Sequence, residues 1–299
     1  MPTLVLGEAL VDFVCEQPVA SFAEAPSFVP HFGGAGANVA VNGARAGGAM
    51  AVAGGAGEDP WGRWLRDRLD AEGVETRFFA LDGARQTPVA FATLTDAGEP
   101  TFAIYGEGIS AAAEAFGARV DEAVEACDAL SLTSNTLLGA ERAVSQRARE
   151  RALELGRPVC FDPNLRLERW ADRDTALELA RGCLPGALLV KANATEACLL
   201  TGETDPAHAA EALLAAGPAL VVVTLGADGA LMRGAQSHQV PGRPATVRSA
   251  IGAGDAFLGT LLARLQTAGW DPARPELRDA LADAAAAGSR ATETWGAVG

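Results

Sequence analysis

The sequence predicts an α/β fold: a mostly parallel central sheet flanked by helices, with two extended excursions that could form a small accessory sheet. Two observations predict it. Short runs rich in Val, Ile or Leu alternate with longer Ala/Leu/Arg/Glu stretches of helical period, the pattern of repeated strand–helix crossovers. Two extended segments, about 13–32 and 87–105, interrupt that alternation and supply the strands of the small sheet. The chain has 299 residues, 49% of them hydrophobic, enough for a sizeable core, which excludes disorder.

In chain order, strands are expected at 3–7, 50–54, 129–133, 158–162, 186–191 and 219–225, each a short apolar run. Helices are expected near 60–72, 140–155, 172–183, 206–216, 255–267 and 276–292. In 255–267, Phe257, Leu258, Leu261, Leu262 and Leu265 fall on one helical stripe. Segment 13–32 carries Pro18, Pro26 and Pro30 and shows no helical period. In 87–105, Val89, Phe91 and Thr93, then Phe102, Ile104 and Tyr105, flank a polar Asp96-Ala97-Gly98-Glu99 turn, which reads as a hairpin. No repeat, low-complexity tract or long linker divides the chain, so residues 1–299 read as a single domain.

Charge and cysteine usage exclude several classes. Against 24 basic residues stand 38 acidic ones, a net charge of -14, so neither nucleic acid nor an anionic membrane surface is an expected partner. The uncharged run from Ala212 to Ala227 is too short to span a bilayer and is broken by Gly217-Pro218. No basic segment precedes Leu4-Val5-Leu6-Gly7, so no secretory leader is expected. Cys15, Cys127, Cys160, Cys183 and Cys198 are odd in number and form no C-x-x-C pair. Buried thiols in a reducing cytoplasm are expected. Only one basic residue is a lysine. Lys191 lacks the upstream glycines and following Ser/Thr of a Walker loop, and its place beside a buried strand reads as structural. His31, His208 and His238 have no ligand spacing, and Trp61, Trp64 and Trp170 read as packing residues.

Two glycine-rich stretches carry the chemistry. Gly252-Ala253-Gly254-Asp255-Ala256-Phe257 opens an apolar helix, so backbone N–H groups there can converge on an anion, with Asp255 in the first turn. An anion hole beside a carboxylate suits phosphoryl transfer: the hole stabilises the moving group and the carboxylate takes the hydroxyl proton. A plain N-cap and tight turn would look the same, and the hexapeptide alone does not choose between them. Gly33-Gly34-Ala35-Gly36-Ala37-Asn38 joins glycines to a second helix start, where Asn38 can both donate to and accept from a sugar hydroxyl. The dinucleotide fingerprint fails here, because Val39 stands where the third glycine belongs and the preceding segment is proline-rich.

Taken together, the two stretches resemble the signatures of the ribokinase-like, PfkB-type carbohydrate kinases. Gly33-Gly34-x-Gly36-x-Asn38-x-Ala40 with Gly47 and Gly57 matches the first signature, and Ser249 to Phe257 the second. Between them, in order, stand Asp162-Pro163-Asn164-Leu165-Arg166, Lys191-Ala192-Asn193 with Glu196, and Thr224-Leu225-Gly226-Ala227-Asp228-Gly229. Gly7-Glu8 with Asp12 precedes them. The resemblance covers the whole chain and is closest in appearance to fructokinases and 2-keto-3-deoxygluconate kinases. It implies an ATP- and magnesium-dependent sugar kinase. Asp255 would be the base and Gly252, Ala253 and Gly254 the anion hole. Asp12, Gly33, Gly34, Asn38 and Tyr105 would face the sugar. Asn164, Arg166, Asn193, Thr224, Gly226 and Gly229 would hold the nucleotide, and Glu196 would serve the metal, largely through water. The segments 13–32 and 87–105 would cover the sugar, and an exposed lid sheet could pair two chains into a homodimer.

Two departures from the family pattern bear on chemistry. Ser249-Ala250 replaces an Asp-led pair whose carboxylate binds a monovalent cation in activated members, so the resemblance gives potassium dependence little support. Gly106-Glu107 stands where an arginine usually follows the aromatic strand residue, which favours a neutral sugar over an acidic one. A 2-keto-3-deoxygluconate or nucleoside kinase, and a non-catalytic sugar- or nucleotide-binding regulator, are the competing readings.

Overall fold

A computed structural model describes residues 1–105 and 116–299. The first half of the chain runs β1 (Thr3–Leu6), β2 (Leu10–Pro18), β3 (Val29–Gly33), α1 (Ala35–Arg45), β4 (Met50–Gly57), α2 (Pro60–Ala71), β5 (Glu75–Asp82), β6 (Val89–Leu94) and β7 (Pro100–Tyr105). Next come α3 (Val120–Glu125), β8 (Ala129–Thr133), α4 (Glu141–Glu154), β9 (Val159–Asp162), α5 (Arg173–Gly182), β10 (Leu189–Asn193) and α6 (Ala194–Thr201). The remainder is α7 (Pro206–Ala215), β11 (Leu220–Thr224), β12 (Ala230–Gly234), β13 (His238–Val240), α8 (Ala253–Thr267) and α9 (Leu277–Ala291).

Nine strands form the large sheet in the order β13-β12-β11-β10-β9-β8-β1-β4-β5. Every pairing from β11 to β5 is parallel, while β12 and β13 add on antiparallel. Alternate side chains of β10 and β11 feed opposite faces. Leu189, Leu220 and Val222 pack towards α1, α2, α8 and α9, whereas Val190, Val221 and Val223 join the layer that includes α3 to α7. Burial on both faces explains why these strands read as continuous apolar runs.

The second sheet has the order β3-β2-β6-β7. Its first strand begins at Leu10, earlier than the expected 13, because Val11 and Val14 are buried in the core that the small sheet shares with the large one. The β6–β7 hairpin forms as expected, with Val89 opposite Tyr105 and Leu94 opposite Pro100. Asp59 caps α2 through the amides of Trp61 and Gly62, and also accepts from the Thr87 amide (2.8 Å). One carboxylate therefore ties the start of a helix to the entry of the hairpin.

Helix α1 and the edge strand β5 were not expected as regular elements. In α1 the large apolar residues are Val39 and Val41, the rest being small or polar, so no apolar stripe announces it. That smallness is its use. Gly259 of α8 lies so close to α1 that a side chain there would strike the Val39 carbonyl, and the two helices pack backbone to backbone.

Candidate active site

The site lies at the carboxyl ends of the parallel strands, where loops rather than sheet set the shape. Glu8 follows β1, Asn135 follows β8, Asp162 ends β9, Asn193 ends β10 and Thr224 ends β11; all five line one cleft, together with Asp12, Asn38 and Asp255. A second hollow adjoins it through Thr224 and Gly254, and the two measure about 380 and 560 Å³. Phe102 and Ile104 of the small sheet form part of the wall of the first.

Two glycine turns shape the floor. Gly34 has φ +95°, and a Cβ there would lie 2.5 Å from the Glu8 carbonyl, so the chain leaves β3 and enters α1 along a path no other residue allows. Gly252 has φ +77° and is pressed against Ala297; α8 starts directly after it, at the cleft lined by Gly252 and Gly254, with the Ala253 amide donating to the Ala250 carbonyl at 3.3 Å. The two signatures meet here: Asn38 Nδ2 donates to Asp255 Oδ2 at 2.9 Å. Burial raises the Asp255 carboxyl to about 6, while the Asn38 hydrogen bond and the Lys191 charge hold it down. At neutral pH it is an ionised carboxylate with more basicity than an ordinary aspartate, which is what a general base requires.

Beside Asp255 lies a buried ion pair. Lys191 Nζ donates to Asp162 Oδ2 at 2.9 Å, and neither side chain is more than 7% exposed. Burial works against the ammonium, yet the Asp162 and Glu196 carboxylates outweigh it and raise its pKa. The other Asp162 oxygen accepts from the Asn164 amide (3.1 Å), and Asn164 has φ +39°, a left-handed conformation uncommon outside glycine. Arg166 follows at the cleft wall.

Asn193 and Glu196 form a capping box at the start of α6: Asn193 Oδ1 accepts from the Glu196 amide and Glu196 Oε2 from the Asn193 amide, each at 2.9 Å. Glu196 Oε1 also accepts from the Leu165 amide at 2.8 Å. Glu196 is thus buried, not an exposed residue early in a helix, and burial followed by repulsion from Asp162 raises its carboxyl. Among the described residues no cluster of three His, Cys, Asp or Glu side chains is placed to hold a metal ion. With both oxygens occupied by amides, Glu196 fits a magnesium ion that arrives on phosphate oxygens and keeps its waters, not one held by a protein cage.

The far end of the cleft is rich in acceptors. Asp12 is buried and overlies Gly33, where any side chain would strike its carboxylate. Burial, then the Asp255 and Glu8 charges, pushes Asp12 up to about 8. Glu8 Oε2 and Asn38 Oδ1 are buried without a protein partner. Behind Glu8 lies Glu141, 1% exposed with both oxygens unpartnered, its carboxyl pushed up to about 8 by burial and by Glu8. Unmet acceptors of this kind are completed by donors from a ligand or from water.

The sequence profile of the pfkB family carbohydrate kinases matches residues 3–298. This chain belongs to that family. Among curated relatives, the fructokinase of Vibrio alginolyticus is 34% identical over 98% of this chain and 94% of its own. The aminoimidazole riboside kinase of Salmonella typhimurium is 33% identical over 98% and 90%. Among solved structures, a fructokinase double mutant from Vibrio cholerae O395 with fructose, ADP and potassium bound superposes with a TM-score of 0.86 at 30% identity, covering 99% of this chain and 94% of that one. Aminoimidazole riboside kinase from Salmonella enterica, complexed with aminoimidazole riboside and an ATP analog, gives 0.84 at 30% identity over 100% and 95%.

In this kinase the second hollow is lined by Gly226, Gly229 and Ala253, with Val247, Phe257 and Thr292 closing it. Tyr105 is not brought to the cleft. It is 60% exposed, and its ring packs edge-on against Phe91 at 5.8 Å, on the aromatic face of the small sheet. Strand alternation sends Phe102 and Ile104 to the cleft and Tyr105 away from it. Glu107, on which the preference for a neutral sugar leaned, lies outside the described residues. Sequence reasoning passed over Glu8, Asn135, Arg169 and Asp162 as side chains of the site and took Lys191 for structure; all five line the cleft. The signal for Lys191 was its being the one lysine of the chain.

Proposed function

We propose that this kinase transfers the γ-phosphoryl group of ATP to a hydroxyl of a neutral sugar, fructose above all. The observation that carries the reading is the Asn38–Asp255 hydrogen bond beside the Gly252 turn, which sets a base and an anion-binding helix start at one point of a cleft. A sugar on Asp12 and Asn38 presents a hydroxyl to Asp255. Asp255 takes its proton as the oxygen attacks the γ-phosphorus in line, and ADP departs. The Gly254 amide stabilises charge on the phosphoryl oxygens, joined by that of Ala253 once it leaves the Ala250 carbonyl, with Arg166 close by. The triphosphate lies over Asn164, Asn193 and Thr224, and its base enters the hollow beside Gly226 and Gly229. Glu196 would serve a magnesium ion carried on the phosphates, which would supply charge neutralisation there. The small sheet acts as the lid that keeps bulk water out.

The acceptor-rich end supports a neutral, donor-rich substrate: Glu8 Oε2 and Asn38 Oδ1 are buried acceptors that hydroxyls would complete, and the acidic Glu8 beside them speaks against a carboxylate substrate such as 2-keto-3-deoxygluconate. Arg169, which with Arg166 lines the cleft, donates to Asn135 Oδ1 at 3.2 Å. Aminoimidazole riboside is the second reading, favoured by the Salmonella relatives and by the same acidic wall. Ser249 Oγ accepts from the Ile251 amide, and the Thr292 carbonyl takes the amides of both Arg248 and Ser249, so the loop is satisfied internally and we read the kinase as not requiring potassium. The five cysteines are free, four of them buried, which suits the reducing cytoplasm where ATP is made. A homodimer through the small sheet is part of the same reading, to be checked by its elution volume against mass standards.

The test is ADP release from Mg-ATP with fructose, ribose, 2-keto-3-deoxygluconate, aminoimidazole riboside and no acceptor, in potassium and in choline buffers. Fructose should lead, potassium should change the rate by less than about twofold, and Asp255→Asn should lose about three orders of magnitude or more while staying folded. Near-full activity in Asp255→Asn would remove the base.

A further inference from the structure

Of the 24 basic residues in this chain only Lys191 is a lysine, and it stands at the most crowded point of the site. Its ammonium is held by Asp162 at 2.9 Å and lies under the glycine turn: a Cβ on Gly254 would sit 3.1 Å from Nζ. A planar guanidinium needs a wider berth than a compact ammonium, which explains why arginine, used everywhere else, is not used here.

We propose that Lys191 is a positioning residue for phosphoryl transfer: pinned by Asp162 beneath the Gly252–Gly254 turn, its ammonium balances the negative charge gathered at Asp255 and fixes the floor on which the transferred group rests. The proposal rests on the reading of Asp255 as base. The groups that face Asp255 come from several elements. Asn38 donates to it from α1, Asp12 approaches from β2, Asp162 from the end of β9, Arg166 from the following turn and Lys191 from β10. Asp12 and Asp162 are the acids among them, Asp12 with its carboxyl pushed up to about 8, and with Lys191 removed Arg166 is the cation left beside Asp255. Burial already lifts the Asp255 carboxyl, and the Lys191 charge pulls it down again.

The experiment is the pH dependence of kcat for sugar-dependent ADP release in the wild type, Lys191→Met and Asp255→Asn. The expected result is an acid limb moved about one pH unit upward in Lys191→Met, with KM for the sugar changed less than about threefold. An unshifted limb with unchanged kcat in Lys191→Met, beside an inactive Asp255→Asn, overturns the proposal and leaves the kinase reading standing. Turnover that survives in Asp255→Asn, or no sugar-dependent turnover in the wild type, takes down that reading and the proposal with it. Lys191→Met alone buries Asp162 without its partner and risks misfolding. In that event Asp162→Asn is compared with Asp162→Asn/Lys191→Met, where no buried carboxylate is left unpaired, and the same upward shift between the two is expected.

Discussion

Asp255 must be ionised to accept a proton, and its environment sets the pH at which that happens. Burial lifts its carboxyl from 3.8 to about 6, and the Asn38 hydrogen bond and Lys191 limit the rise. With Asp255 as the proposed base the active form is the deprotonated one, so kcat/KM for fructose should climb as pH rises through about 6, and a further change near 8 belongs to Asp12. A pH–rate profile between 4.5 and 8.5 checks this, and a limb at about 4, the ordinary aspartate value, would mean that the cleft does not desolvate the group. The glycines, aspartate and asparagine that the cleft brings together were legible because their spacing at two helix starts stands out in the sequence. Glu141 and Lys191 were not legible in the same way. Glu141 reads as a charge in the first turn of α4, and only the packed structure shows both its oxygens buried and unpartnered. Lys191 reads as the end of a strand, because its register against Val222 says nothing about where a flexible four-carbon side chain delivers its charge.

At the scale of elements, the site depends on how closely α1 and α8 approach. Asn38 precedes Val39, whose carbonyl lies against Gly259, so the helix contact and the Asn38–Asp255 hydrogen bond share a single spacing. Gly259→Ala should push the helices apart, cost about 1–3 kcal/mol of stability and lower kcat more than tenfold at unchanged helix content. Gly182→Ala, at a position with open space around it, is the control and should leave both Tm and kcat alone. Activity loss in proportion to unfolding, with kcat of the folded fraction intact, would show that the spacing does not matter to the chemistry. The sequence reported α8 clearly, since its leucine stripe faces a thick core, and reported α1 only as a glycine-rich start. Small residues carry little periodic signal, and yet they are what permits the close crossing. The edge strand β5 was missed for a related reason: Glu75 and Arg77 at its exposed margin mask the Phe78–Phe79 pair that anchors it.

Across the whole molecule, the two sheets meet on either side of the cleft and again at the hairpin tip. Gly98, in the β6–β7 turn with φ +78°, accepts the Ala250 amide at 2.8 Å, two residues before the Gly252 turn. The turn at 96–99 was legible from Asp96-Ala97-Gly98-Glu99, but its docking place was not, because nothing local in either segment names the other. This contact ties the small sheet to the backbone leading into the Gly252 turn, the proposed anion hole, so the tip's position and the floor of the cleft are mechanically linked. Gly98→Val tests the link. A Cβ at Gly98 would stand 2.8 Å from Val247 Cγ1, and a β-branched residue resists a positive φ, so the tip should lift while the sheet's own strand pairing persists. Lifting it exposes the cleft to water: KM for the sugar should rise by roughly tenfold or more, and ADP release without sugar should grow as a fraction of the total. The ratio of sugar-dependent to sugar-independent ADP release is the measurement, since lost stability alone would lower both together. A ratio unchanged from the wild type would mean that closure of the small sheet is governed at the strands around Asp12 and Gly33 and not at the hairpin tip.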